Sequence, residues 1–303
     1  LWNKDILQQA FDDRNGCDQR GERVGRRSSR LTPDGAAESV EPAQDYVQVV
    51  ARALDVLRCF DGAHVALGNQ DIATRTGLPK STVSRLTYTL TRIGHLAYVA
   101  DDQKYRPGDG AIAHASAILR GLEHRTLIHG WMEDCARQVR GTWGMTIRDR
   151  FDMVYLDYAR AADALALQAT VGTRVPLALT ACGRAWMAAQ PPVAQAALLA
   201  ELAQHAPRQE SALRTWLTAN RAGFARTGYA VSCGDLSRHI NGIGVPIHSP
   251  AHGTTLVFVV GALAAEYGKE RLKRDVAQPL LALAARVAAL HPNLLAEQRA
   301  GTA

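Results

Sequence analysis

From Tyr46 onward apolar residues recur at helical spacing. Val50, Leu54 and Leu57, with Val49, Ala53 and Phe60 beside them, predict an amphipathic helix. Asp61-Gly62 ends it, a short apolar stretch Val65–Leu67 follows, and a second helix opens at Asn69 or Gln70, carrying Ile72, Ala73 and Thr76. Gly77 breaks the chain, and Leu78-Pro79 leads into a third helical segment, Lys80–His95. Proline suits the first turn of a helix, where its missing N–H costs nothing. Within this segment Val83, Leu86, Leu90 and Ile93 fall at steps of three, four and three, so one face is expected to be buried. The opposite face presents Ser81, Ser84, Arg85, Tyr88 and Arg92, with Lys80 and Thr82 at its N-terminal end. Leu96–Val99 and Tyr105-Arg106 then flank the polar turn Asp101–Lys104, which predicts a β-hairpin. Three helices, a tight glycine turn before the third and a hairpin after it describe a winged helix-turn-helix.

Pro107-Gly108 closes that unit, and Ala111–Leu122 reads as a small-residue connecting helix. The pattern changes from Arg125. A helix over Leu127–Val139 precedes strands at Thr142–Arg148 and Met153–Ala159, with another near Leu165–Thr170. Helices follow at Ala181–Ala189, Val193–Gln204 and Glu210–Arg226, then strands at Gly242–His248 and Thr254–Ala262, then a long final helix, Lys269–Ala289. Strands and helices that do not alternate regularly indicate an α+β domain with an antiparallel sheet. The expected organisation is a disordered tail (1–42), a winged helix-turn-helix (43–106), a linker helix (107–124), a second domain (125–292) and a C-terminal tail (293–303). The first tail is assigned on its lack of any sustained period and on its Arg-, Ser- and Gly-rich stretch, Gly21–Arg30.

The chain of 303 residues is 47% hydrophobic and 21% charged, the composition of an ordinary globular protein with enough apolar material for a sizeable core. It contains no apolar run of membrane-spanning length, and the first thirty residues have no apolar core of a signal peptide, so a cytoplasmic protein without a membrane partner is expected. Five scattered cysteines (Cys17, Cys59, Cys135, Cys182, Cys233) build neither a disulfide framework nor a CxxC pair. The net charge of +6 does not locate a nucleic-acid surface by itself. Residues 1–45 hold seven basic and nine acidic side chains, 46–110 eight and six, and 111–303 twenty and fourteen.

The polar face of the third helix is the informative feature. Short hydroxyls at a helix N-terminus reach phosphates or base edges, and the terminus itself favours phosphate. Arg85 can fork onto a guanine or clamp a phosphate, and Tyr88 can meet the backbone or a thymine methyl. Lys104 and Arg106 lie where a wing would meet the adjacent DNA. The same composition also suits a plain solvated helix face.

The stretch Ile72–Leu86, with Leu90, Gly94-His95-Leu96 and Lys104-Tyr105-Arg106, resembles the DNA-binding domain of the IclR (isocitrate lyase regulator) family of bacterial transcription factors. Val171–Leu177, Thr180–Ala185, Gly228-Tyr229-Ala230 and Gly242–Ile247 are similar to that family's effector-domain motifs, so the resemblance spans about residues 46–290. It implies a GAF/PAS-like sheet flanked by helices that takes a small organic or aromatic acid, and homodimers that often pair into tetramers. Asp235 looks like the counterpart of an acidic residue that recurs in the family. His239 stands where the family often has glycine, and Gly242 where it commonly has serine, cysteine or alanine.

Thr180, Ala181 and Cys182 open a helix whose free N–H groups suit a carboxylate, although Thr180 is equally a helix cap. Cys233, Asp235 and Asn241 are the polar candidates on the following loop and strand. Met145, Tyr155, Leu177, Ile243 and Leu263 are the expected apolar walls, and each is also ordinary core. Arg160, Arg174 and Arg184 are candidates to neutralise an anionic effector. Cys233, Asp235 and His239, or His248 and His252, have tolerable ligand spacing, but Pro250 prevents helical presentation of the last pair, so no metal and no cofactor is expected. A nucleophilic Cys182 or Cys233 would need a positioned base such as His239, and no hydrolase, P-loop or dinucleotide motif is present, so catalysis is not expected. The sequence thus describes a homo-oligomeric regulator that binds double-stranded operator DNA under control of a small-molecule effector. The alternative is a DNA-binding protein whose second domain serves only as an oligomerisation scaffold.

Overall fold

The computed structural model describes residues 46–62, 65–122, 124–161, 168–249 and 254–290; both expected tails lie outside them. The chain divides between Glu123 and His124 into two compact units.

The N-terminal unit holds α1 (Gln48–Arg58), α2 (Asn69–Thr76), α3 (Lys80–Arg92), β1 (Leu96–Val99), β2 (Lys104–Pro107) and α4 (Asp109–Arg120). Its core is built from Val56, Cys59, Leu67, Ile72, Ala73, Val83, Leu86, Leu90 and Leu96. Asp71 closes the start of α2 by accepting the Gly68 N–H at 2.9 Å. Gly77 ends it at φ 68°, a left-handed conformation that glycine adopts without steric cost, and so sets the turn into α3. Leu67 and Tyr105 exchange two backbone hydrogen bonds, at 3.0 and 2.8 Å, so the short apolar stretch adds a bridge to the β1–β2 hairpin. Two expectations need correction. Ile93 is not on the buried stripe; α3 ends at Arg92, the chain turns at Gly94, and Ile93 is 59% exposed. The stripe of α1 is only half covered, because Val49, Val50 and Leu54 face outward while Val56 is buried.

The second unit is built on a six-stranded, wholly antiparallel sheet of order β5-β4-β3-β8-β7-β6. Its strands are β3 (Thr142–Asp149), β4 (Asp152–Arg160), β5 (Arg174–Pro176), β6 (Ala230–Cys233), β7 (Ile240–Ser249) and β8 (Thr254–Leu263). One face carries α5 (Arg125–Gln138), α9 (Lys269–Asp275) and α10 (Ala277–Ala288). The other carries α6 (Ala181–Ala188), with α8 (Pro207–Thr227) packed on it and α7 (Pro192–His205) packed on α8. Short β5 and β6 escaped the periodicity. The strand expected near Leu165–Thr170 is corrected: residues 168–170 are not extended sheet, 165–167 lie outside the described residues, and the sheet edge is β5. The long final helix is two helices broken at Val276, because Pro279 has no N–H to give the carbonyl of Asp275.

Candidate functional site

Helix α3 projects its polar side chains as the spacing requires. Lys80, Ser81, Ser84, Arg85, Tyr88 and Arg92 are exposed and Thr82 is half-buried, while Val83, Leu86 and Leu90 are in the core. The helix starts at Pro79 without a side-chain cap. The N–H groups of Lys80 and Ser81 therefore have no intrahelical acceptor, which is the arrangement that suits phosphate. Buried Thr87 went unnoticed in the sequence. Its hydroxyl lies 3.0 Å from Asn69 Oδ1 and fixes α3 against α2. On the wing, Lys104 and Arg106 are exposed, Arg106 reaching Asp102 at 3.4 Å, and the Tyr98 and Tyr105 rings pack 5.0 Å apart, tilted by 51°, across the hairpin.

In the second unit the expected effector residues do not converge on one surface. Tyr155, Leu177, Thr180, Ala181 and Cys182 lie on the α6 side of the sheet or on α6 itself. Met145 and Ile243 pair with Phe258 and Val260 and face the opposite way, toward α5 and α10. Asn241, with the parity of Ile243, donates its amide to the Tyr267 carbonyl at 2.8 Å. Leu263, half-buried at the end of β8, shares the parity of Val257 and Val259 on the α6 side. A single set of walls containing Met145, Ile243 and Tyr155 is therefore excluded by strand parity. A β-bulge in β4 reinforces the division. Thr146 pairs with Tyr155 but Met145 with Asp157, so Leu156 is extra and Asp157 turns to the α5 side. There Asp157 binds Arg125 at 3.1 Å and His129 at 3.0 Å.

The α6 side is closely built. The Tyr155 ring lies over Gly144, occupying the space a Cβ would need. Main chain of α6 sits directly on β7: a Cβ on Gly244 would come within 2.8 Å of the Ala181 carbonyl. Thr180 caps α6 through the Gly183 N–H, donates to the Pro176 carbonyl at 2.9 Å and lies 3.3 Å from Cys182 Sγ. Burial pushes the Cys182 thiol up to about 11, so it is a protonated thiol and not a nucleophile.

At the rim, Arg184 is buried and donates to Asp235 at 2.9 Å and to the Ala178 carbonyl at 3.2 Å, with Trp216 stacked near it. Asp235 also accepts from Ser232 Oγ and the Cys233 N–H, all at the same oxygen as Arg184. Burial raises the Asp235 carboxyl, but the hydrogen bond and charge of Arg184, then Ser232 and Cys233, outweigh it and leave the group below the ordinary carboxylate value. Arg174 is held by Asp149 at 2.9 Å and Asp152 at 3.2 Å, which makes it part of the β4–β5 frame. Arg160 is exposed, as are Cys233, His239 and His248; His252 and Pro250 lie outside the described residues. Sequence reasoning missed Trp186, one turn beyond Cys182 on α6. Its indole N–H is buried with no acceptor among the described residues, and Arg148 lies 4.8 Å from its ring. A tryptophan in a helix that opens with the small residues Ala181, Cys182 and Gly183 was the available signal.

Among the described residues no helix is long and apolar enough to cross a membrane, and no group of three or more His, Cys, Asp or Glu side chains could hold a metal ion. A winged helix-turn-helix with an exposed polar third helix, followed by an α+β unit of this topology, defines a DNA-binding regulator with a separate second domain. The family model described as the IclR helix-turn-helix domain matches residues 49–100, and that for the bacterial transcriptional regulator IclR C-terminal domain matches 116–289. The chain belongs to the IclR family of transcriptional regulators. It is 30% identical over 229 residues to the HTH-type transcriptional regulator TsaQ1/TsaQ2 of Comamonas testosteroni, covering 75% of this chain and 81% of that one. It is also similar to a crystal structure of an IclR family transcriptional regulator from Brucella abortus, with TM-score 0.73 and 33% identity over 81% of this chain and 93% of the other. An IclR homologue from Microbacterium hydrocarbonoxydans, solved in complex with 4-hydroxybenzoate, shares the fold at TM-score 0.57 and 23% identity, covering 80% and 99%. The relatives carry regulator and repressor names, placing the chain among regulators and not enzymes.

Proposed function

We propose that α3 reads an operator through Lys80, Ser81, Thr82, Ser84, Arg85, Tyr88 and Arg92, with Lys104 and Arg106 of the wing on the flanking backbone. We propose further that the second unit takes a small organic or aromatic acid on its α6 side. The observation that carries the DNA reading is the uncapped start of α3 beneath a polar face that is exposed except at half-buried Thr82. Positioning contacts at the helix N-terminus and base contacts farther along are the division of labour expected of a recognition helix.

The effector reading rests on the α6 side alone: Tyr155, Leu177, Thr180, Ala181 and Cys182, with Trp186 contributing an unpaired N–H and Asp235 at the rim. A fold relative solved with 4-hydroxybenzoate supports the chemical class. The reading also includes self-association. Tyr46, Val47, Val50 and Leu54 of the α1 region and Ile112 and Ile118 of α4 are exposed, and α4 has no buried residue at all. Helices with unclaimed apolar faces fit a second copy of the chain, and a two-fold dimer would read two half-sites.

Selection of bound DNA from randomised duplexes at two salt concentrations tests the first part. A paired half-site motif with a steep salt slope is expected; no enriched sequence in the presence or absence of effector would refute it. Thermal shift against 4-hydroxybenzoate and small organic acids tests the second, since a ligand of the native state raises the melting point. No shift with any of them would favour the scaffold alternative.

A further inference from the structure

The turn that follows α3 and the start of α4 meet at a joint made almost entirely of backbone. Gly108 and Gly110 lie against the Gly94 carbonyl so closely that a Cβ on Gly108 would fall 2.4 Å from that oxygen. The Gly110 N–H donates to the Gly94 carbonyl and the Gly108 N–H to the His95 carbonyl, each at 2.9 Å. One side-chain contact spans the same joint. His95 Nε2 lies 3.0 Å from His114 Nδ1, and the rings are 4.9 Å apart and tilted by 53°.

The proton positions follow from the partners. His95 Nδ1 is 3.3 Å from the Ile93 carbonyl, which can only accept, so that nitrogen carries a hydrogen. In a neutral His95 ring Nε2 is then the acceptor, and His114 Nδ1 donates to it. This arrangement tolerates one proton too many, because His114 can be charged while His95 accepts. It does not tolerate two, since both facing nitrogens would then be donors and the rings like charges. The elements meeting here carry Lys80, Arg85 and Arg92 on α3, Lys104 and Arg106 on β2, and Asp109 and Arg120 on α4; β1 has no charged side chain. Arg92, Arg106 and Asp109 are the nearest to the joint along the chain. Arg106 is engaged by Asp102, and among the described residues neither Arg92 nor Asp109 bonds to either ring.

We propose that His95 and His114 form a protonation-sensitive latch that ties the start of α4 to the end of α3 while either ring is neutral and lets go when both are charged. Histidine is the side chain whose charge changes between about pH 5 and 8. Because two facing donors of like charge repel, the latch is made while one ring is neutral and is lost when acid charges both. Among the described residues α4 has no buried side chain, and the joint ties its start to the turn between α3 and β1. Loosening it frees the linker helix relative to the recognition helix.

Amide hydrogen exchange of the full chain over residues 108–116, corrected for the intrinsic pH dependence, tests this in wild type, His114→Phe and His95→Gln. Protection in the wild type should fall roughly two- to tenfold between pH 7.5 and 5.5, the effect of one ordinary hydrogen bond on an opening equilibrium. Both variants should show the lower protection at both pH values. An unchanged wild type, or the same pH response in the variants, would overturn the latch. His114 is exposed, so its replacement leaves the fold intact, and a thermal melt of each variant verifies that. The effect on DNA rests on α3 being the operator reader; the exchange experiment does not, so the two can fail separately.

Discussion

Replacing Asp235 by alanine isolates the half-buried ion pair that joins the 232–235 loop to α6. The Arg184 side chain is 5% exposed and Asp235 36% exposed, with 2.9 Å between them. After Asp235→Ala the guanidinium keeps the Ala178 carbonyl at 3.2 Å and a long contact to the Val231 carbonyl at 3.5 Å, but loses its counter-charge. Stranding one partner of a fully buried pair costs about 3–5 kcal/mol. Water reaches the Asp235 side of this pair, which brings the expected cost to about 2–3 kcal/mol. For a unit of this size each kcal/mol lowers Tm by roughly 2–4 °C, so scanning calorimetry should show a fall of roughly 4–12 °C. Adding Arg184→Met should recover part of the loss, because the double variant has no buried unpaired charge. The pH dependence has a definite sign. A carboxyl held below its ordinary value stabilises the fold fully above about pH 4 and loses that contribution as pH falls through its folded value. The gap between wild type and Asp235→Ala should therefore close in acid. A variant that melts with the wild type at pH 7, or a gap that widens below pH 4, would refute this account.

Arg85→Ala should weaken operator binding by roughly five- to a hundredfold, the range for one base or phosphate contact, without lowering Tm; equal affinity in a filter or anisotropy assay would take Arg85 out of the interface. Val83→Asp should unfold the N-terminal unit, because Val83 is fully buried, whereas Ile93→Ser should leave its melting within about 0.5 kcal/mol of wild type. Helical circular dichroism distinguishes the two, and a folded Val83→Asp protein would overturn the helix phase. Under native conditions at pH 8 a maleimide should modify exposed Cys233 while Cys59 and Cys182, both buried and pushed up to about 11, stay unmodified. Mass spectrometry showing rapid labelling at Cys182 would mean the α6 side opens in solution.

The N-terminal unit was legible because its signals are local. Steps of three and four place Val83, Leu86 and Leu90 inside without reference to any distant residue, and Gly77 marks its own turn. Ile93 continues the same arithmetic, but the helix stops before it, and end positions are set by the following Gly94 turn and not by periodicity. The second unit depended on facts that no local pattern contains. Met145 faces away from Tyr155 because Thr146 is the residue that pairs with Tyr155, a register that no local pattern states, and the β4 bulge at Leu156 then reverses every side chain beyond it. Arg174 and Arg184 read equally well as ligand-binding cations until their partners, 22 to 51 residues away, are known. Three-residue β5 and four-residue β6 are too short to show a period.

The place of β3 in the sheet has a consequence for how the protein comes into being. One edge of β3 is satisfied at once by its hairpin neighbour β4, but the other pairs with β8, and the Thr146 hydroxyl bonds a carbonyl 111 residues farther along the chain. Until that late strand is synthesised, β3 offers an open, strongly apolar edge containing Trp143 and Met145. Such an edge is a template for pairing with any other extended chain. Any product that stops short of β8 leaves that edge uncovered. Premature termination or C-terminal clipping should therefore yield aggregates in place of a smaller working regulator. Assembly of this unit is governed by its slowest and most distant pairing, whereas the DNA head can fold as soon as it emerges.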